Sequence, residues 1–125
     1  MSCFVNGQPI VPTAVKPQRF RVSATGAGAI SISFPITCEV VMEQMTVHLN
    51  TAATTSAKIN LKRDAVDLPA YDTLYRSEDL AAINATDFLC IVPFRWSKGD
   101  VLLCDYANPD ARTVGVVIWL VQVDA

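Results

Sequence analysis

Charge is scarce in this sequence. Asp, Glu, Lys and Arg make up 18% of its 125 residues, against about 25% in an average globular domain. Ten Lys and Arg face twelve Asp and Glu, a formal net charge of −2. The basic residues are scattered, and Lys62-Arg63 is the only adjacent pair. This excludes the concentrated basic face with which a nucleic-acid binder displaces counterions from phosphates. No run approaches the roughly 18 apolar residues of a membrane-spanning helix, so no membrane partner is expected. The opening residues MSCFVNGQPIVP have neither the basic nor the long apolar region of a secretory signal, so assembly in a cytoplasm is expected.

Catalytic residues are equally sparse. His48 is the only histidine, and its neighbours Val47 and Leu49 suggest that it points outward from a strand. No G-x-S-x-G and no phosphate-binding glycine pattern occurs, and Gly26-Ala27-Gly28 lies between two strand-like runs rather than opening a helix. Asp64, Asp67 and Asp72 share one loop but lack the glycine and closing glutamate of a calcium loop, so turn capping explains them, as it does Asp100 and Asp110. Cys3, Cys38, Cys90 and Cys104 contain no C-x-x-C pair. Cys38, Cys90 and Cys104 have apolar neighbours, in TCEVV, FLCIV and LLCDY, and read as reduced, buried thiols. The expectation is a protein without enzymatic activity, cofactor or metal. Asn84-Ala85-Thr86 matches a glycosylation sequon, which the lack of a signal reduces to coincidence.

What the sequence has in plenty is apolar residues, 51% of the total, arranged mostly with the two-residue period of strands. Residues 1–18 carry Pro9, Pro12 and Pro17 and read as an extended arm with a short strand near Cys3–Val5. From residue 19 onward the chain reads as one β domain, 19–125. RFRVSA (19–24), AISISF (29–34), KINLKR (58–63) and VLLCDYA (101–107) alternate, and DFLCIVPFRW (87–96) is strand-like. In ITCEVVMEQMTVHLN (36–50) the inward phase slips between Val40 and Met45, the mark of a β-bulge. Ser77 is a good N-cap for a helix of at most two turns over EDLAAI. About eight antiparallel strands with one short helix predict an all-β, two-sheet sandwich of the jelly-roll type.

The final run TVGVVIWLVQV (113–123) is apolar on both faces. Val114, Val116, Ile118 and Leu120 suit a core; Val117, Trp119, Val121 and Val123 then need a second cover and become candidates for a subunit interface. The arm, through Phe4, Val5, Ile10 and Val11, is a candidate contact with a partner. A different use of the aromatics is a sugar-stacking platform drawn from Trp96, Trp119, Tyr106, Tyr71 and Tyr75, with the first three foremost, although large rings more often serve packing.

K-G-D at 98–100, an apolar strand, Y-A-N-P-D at 106–110 and an apolar C-terminal strand together resemble the last hairpin of small jelly-roll virion proteins of tailed bacteriophages. The resemblance covers the final quarter of the chain. It implies a structural role in the virion, foremost as a capsid decoration (cement) protein that forms a homo-oligomer, such as a trimer, on the major capsid protein. A neck, tail or fibre component and a glycan- or receptor-binding module are the other roles of that class.

Overall fold

The computed structural model describes residues 18–67, 70 and 72–123, and the backbone alone of 4–5 and 8–9. Strand β1 (Phe4–Val5) pairs with β2 (Gln8–Pro9). The domain proper consists of β3 (Arg19–Gly26), β4 (Ile30–Pro35), β5 (Val40–Leu49), β6 (Lys58–Asp64), β7 (Thr73–Asp79), α1 (Leu80–Ile83), β8 (Asp87–Cys90), β9 (Arg95–Trp96), β10 (Val101–Tyr106) and β11 (Val114–Gln122).

All pairings are antiparallel, and they nest. First pairs with last, β3 with β11; β4 pairs with β10; β5 pairs with β8 and β9; and β6 pairs with β7. This is the pairing of one long hairpin, and rolling it up sets β11 beside β5 and β10 beside β6. Two sheets result, β3-β11-β5-β8 with β9 also on β5, and β4-β10-β6-β7. The predicted two-sheet jelly roll is therefore the fold.

The core lies between the inner faces. Val114, Val116, Ile118 and Leu120 of β11 meet Leu61 of β6 and Leu102 and Cys104 of β10, all fully buried. Burial pushes the Cys104 thiol up to about 12, with Asp105 adding to the effect, which keeps it protonated and unreactive. The expected bulge is present: Leu120 pairs with Met42 and Trp119 with Gln44, leaving Glu43 as the extra residue. Glu43 and Gln44 consequently both face away from the core, and Met42 and Met45 both face it.

Four expectations are corrected. Ser77 does not cap the helix but lies in β7, its Oγ donating to Asn60 Oδ1 at 2.7 Å. Pairing with β6 through Lys58 and Asp79 holds the chain extended to Asp79. Asp79 is the N-cap, accepting from the Ala81 amide at 3.0 Å, and α1 is a single turn closed by Asn84 at φ 47°. Residues 73–79, where no strand is expected from sequence and Glu78 and Asp79 are expected in the helix, form an edge strand instead. The run 87–96 is two short strands, because at 91–94, around Pro93, the chain leaves the ladder. Finally, Cys38 is buried but disulfide-bonded rather than reduced, whereas Cys90 and Cys104 are free thiols as expected.

Of the arm residues proposed from sequence as partner contacts, Ile10 and Val11 lie outside the described residues, as do Cys3 and Tyr71; Phe4 and Val5 are described in backbone only.

Candidate functional site

The alternation of β11 sends Val117, Trp119 and Val121 to the outer face of its sheet, where all three are half-buried; Val123 follows, exposed. Because β11 is flanked by β3 and β5, cross-strand neighbours extend each of these residues into a row. Val121 stands between Arg19 and Val41, Trp119 between Arg21 and Gln44, and Val117 between Ser23 and Thr46. Thr46 is paired in turn with Leu89 of β8. Leu89 is 58% exposed, and Ile91 and Val92, just beyond the strand, are 66% and 44% exposed. The outcome is an apolar strip of Val117, Trp119 and Val121 along β11, joined by Val41, with a second apolar group, Leu89, Ile91 and Val92, at the β8 edge beyond Thr46. Scattered exposed leucines are ordinary, but a contiguous apolar strip marks an interaction surface.

Charge frames the strip. The Arg19 guanidinium lies 4.9 Å from the centroid of the Trp119 ring, a cation–π arrangement, and its Nη2 donates to Glu43 Oε1. At the other end of the sheet His48 Nδ1 and Asp87 Oδ1 are 2.7 Å apart, both exposed. The hydrogen bond from His48, helped by Thr86, holds the Asp87 carboxyl below its usual range.

The outer face of the other sheet is built differently. Asn60 Nδ2 donates to Asp105 Oδ1 at 3.0 Å, Ser77 donates to Asn60, and Lys62 Nζ is 3.3 Å from Asp105. These bonds cross three strands, β7, β6 and β10. At the corner of that sheet Asp100 is fully buried and accepts from Arg63 Nε at 2.7 Å, the Ser97 amide at 2.7 Å and the Val66 amide at 3.0 Å. Burial alone would push its carboxyl up; the two amides and Arg63 outweigh that and hold it down. Asp110 reaches another loop, accepting from the amides of Thr54 and Thr55 at 2.8 and 2.9 Å and from the Thr55 hydroxyl, which hold its carboxyl well below its usual range. The bonding of both aspartates extends beyond the turn capping expected from sequence, to distant segments of chain. Asp72 does cap its turn, accepting from the Ala65 amide at 2.8 Å.

The structure separates the aromatics proposed as a sugar platform. Trp96 is 0% exposed, donates Nε1–H to the Lys62 carbonyl at 3.2 Å and meets Tyr75 edge-on at 5.1 Å. Tyr106 is buried as well, its hydroxyl without a hydrogen-bond partner. Both are core residues, because β9 and β10 turn them toward the opposite sheet, and only Trp119 remains at the surface. Leu89, Ile91 and Val92 are the surface residues that sequence reasoning missed. The signal was present: in FLCIV, Phe88 and Cys90 alternate with Leu89 and Ile91, the same two-faced apolar pattern as in 113–123.

Among the described residues no group of three His, Cys, Asp or Glu is placed to hold a metal ion, and no helix is long and apolar enough to cross a membrane. No family model matches the sequence, and no curated protein matches it. Among solved structures the chain is similar to the nucleoplasmin-like N-terminal domain of Drosophila FKBP39, at 14% identity over 89% of this chain and 95% of that one, with a TM-score of 0.47. It is also similar to Aeromonas hydrophila PliG, a periplasmic inhibitor of g-type lysozyme, at 14% identity over 90% and 92%, with a TM-score of 0.33. Likeness at these levels carries no argument about function.

Proposed function

We propose that this protein is a structural assembly module that self-associates through the outer face of the β3-β11-β5-β8 sheet, and that its setting is the outside of a phage capsid, as a decoration protein. The observation that carries the self-association is the strip of Val41, Val117, Trp119, Val121 and Leu89 on an outer sheet face. A second copy is the occupant that fits best. Arg19 and Arg21 flank the strip on β3, Glu43 being already held by Arg19, and Asp87 lies on β8 on the opposite side, so rotation-related copies can bring Arg21 toward that acidic side. Each square ångström of apolar surface removed from water contributes roughly 25 cal/mol before ordering costs. Many small repeated interfaces would thus add up across a shell. The phage setting rests on the resemblance of the final hairpin, and the head is its foremost location.

Sedimentation equilibrium of the intact protein and of Trp119→Glu tests the first part. The intact protein is expected as an oligomer, such as a trimer, and the variant as a folded monomer with an unchanged circular-dichroism spectrum. A monomeric parent, or a variant of undiminished mass, overturns the reading. For the second part, the purified oligomer is added to phage heads stripped of accessory proteins. Saturable binding and a raised temperature of DNA release are expected, and failure to bind removes the capsid role while leaving self-association standing.

A further inference from the structure

We propose that His48 makes self-association pH-dependent: while its imidazole is neutral, the ionised Asp87 beside it receives Arg21 of a second copy, and protonation of the imidazole releases that arginine. The inference rests on the self-association reading and supplies its regulation.

The pair is built across two strands. His48 of β5 and Asp87 of β8 are in direct register, with Nδ1 and Oδ1 2.7 Å apart and both side chains exposed. The Thr86 hydroxyl donates to the other oxygen, Oδ2, at 3.1 Å. These hydrogen bonds, that from His48 foremost, hold the carboxyl below its usual range, so Asp87 stays a carboxylate wherever histidine titrates. A carboxylate only accepts. Nδ1 therefore carries its hydrogen throughout, and Nε2 is the atom that gains or loses the proton. As pH falls the pair passes from a single negative charge to none. His48 is the only histidine in the sequence, and imidazole is the side chain whose ordinary range lies between about pH 5 and 8.

Among the described residues no other titratable group faces the ring. From β11 it meets Gly115, and beyond that Thr25 of β3. The adjoining outward pair on β5 and β8 is Thr46 and Leu89. Glu43, the nearest acid along β5, is five residues away and held by Arg19. A Cβ added at Gly115 meets nothing within 4 Å, which leaves room beside the imidazole for an incoming side chain.

Arg21 is the cation this face leaves uncommitted. Arg19 is taken by Glu43, and Arg95 lies 3.7 Å from Glu39. Arg21 is exposed beside Trp119, and its side chain is in no ion pair among the described residues. It stands four residues from Thr25, whose row continues through Gly115 and His48 to Asp87. That is about 13 Å along the strands and about 14 Å across three strand spacings. Arg21 and Asp87 thus occupy opposite corners, with the Val117–Thr46 pair midway. A two-fold axis lying between two facing copies, through that midpoint and perpendicular to the diagonal, sets each Arg21 on the other copy's Asp87 and Val117 on Val117.

The sign follows from the charges. With the imidazole neutral, the guanidinium meets a carboxylate that still has lone pairs to offer, a charge-assisted contact. With it protonated, the guanidinium approaches an imidazolium already bound to the same carboxylate, and like charges oppose docking. The exposed pair contributes little to the stability of the lone monomer in either form. Association therefore favours the neutral imidazole and weakens as pH falls through the histidine range.

Sedimentation equilibrium of the full-length protein at constant ionic strength tests this. Association should be about ten-fold tighter or more at about pH 7.5 than at about pH 5.5. His48→Asn, whose amide nitrogen takes the place of Nδ1, should associate equally at both values, and His48→Gln serves should that variant misfold. Arg21→Gln should associate more weakly at the higher pH and lose most of the dependence. A pH-independent parent, tighter association at the lower pH, or a dependence that survives in the His48 variant would each overturn the proposal while leaving self-association standing. A parent that is monomeric at both values would overturn the two together.

Discussion

The two outer faces of this sandwich solve the same problem in opposite ways. On the β4-β10-β6-β7 sheet, Asn60, Lys62, Ser77 and Asp105 bond to one another across three strands, and a buried carboxylate, Asp100, ties the corner together. Every strand there presents polar atoms to water. On the β3-β11-β5-β8 sheet the charged groups stand toward the sides and ends, Val117, Trp119, Val121 and Val41 hold the middle beside Gln44 and Thr46, and Leu89 adds an apolar group at the β8 edge. A sheet face meant only for water has no use for the second arrangement, and this difference, more than total hydrophobicity, is what supports the proposed interaction surface.

The largest effect is expected from breaking the polar side. In Asp100→Ala the Arg63 guanidinium and two amides lose the carboxylate they surround, and loss of one partner of a buried pair costs about 3–5 kcal/mol. Urea denaturation of the monomeric Trp119→Glu background measures it free of association. Acid titration examines the same group. Asp79, Asp87, Asp100 and Asp110 are all held below the ordinary value of 3.8 when folded. Their contribution is therefore fully present above the unfolded value and is lost as pH falls below it, because the unfolded chain takes up protons first. Thermal melts should be nearly flat from neutral pH to about pH 5 and decline below about pH 4. Asp100→Asn should make that decline shallower; an unaltered acid limb would mean that its carboxylate is not part of it.

Two leucines provide the next comparison. Leu74 on β7 is 56% exposed and Leu89 on β8 is 58% exposed, so exposure alone predicts no difference between them. Leu74 belongs to the polar sheet, beside Lys62, and Leu89 ends the row that begins at Val117. Leu89→Glu should weaken self-association at least about ten-fold, equivalent to roughly 1.4 kcal/mol. Leu74→Glu should leave it unchanged, and both variants should keep their fold. Equal effects in sedimentation would mean that the two faces do not differ in the way their chemistry implies.

How much of this could be read before the structure follows from what each residue's surroundings contribute. Strands 19–24, 58–63 and 101–107 were legible because one face is core and the other is water, which writes an alternation into the sequence. The bulge was legible because inserting Glu43 shifts that alternation. Strand β7 was not, since its residues are half-buried or exposed throughout and its extended form comes from pairing with β6 rather than from its own pattern. The same pairing overrode Ser77 as a cap. Trp96 illustrates a different gap: whether a ring lies in the core or on the surface near a strand break depends on where the chain resumes, and at Arg95 it resumes with Trp96 inward. The two-faced character of 113–123 was plain, yet its continuation in Leu89 emerges only once β8 is known to pair with β5. The disulfide at Cys38 was illegible because spacing alone does not fix which distant cysteines meet.

The smallest expected effect has the opposite sign and tests where the strip ends. Gly115 stands on the outer face of β11 between Thr25 and His48, and a Cβ added there meets nothing within 4 Å. Replacing glycine in a strand interior with a β-branched residue suits the extended backbone and stabilises by roughly 0.5–1 kcal/mol. In Gly115→Val the new side chain would lie two residues from Val117 on the same face, lengthening the strip toward the His48–Asp87 end. If a second copy covers that end, the valine's additional buried area of some 40 Å² should tighten association about five-fold at roughly 25 cal/mol per Å². A protein that becomes more stable to urea while sedimenting as before would place the edge of the interface at Val117. Weaker association would mean that the partner already approaches Gly115 too closely to admit a side chain. Only the absence of any change in both measurements would be foreign to the picture, because a bare position in the middle of a sheet face is expected to respond to the first or the second.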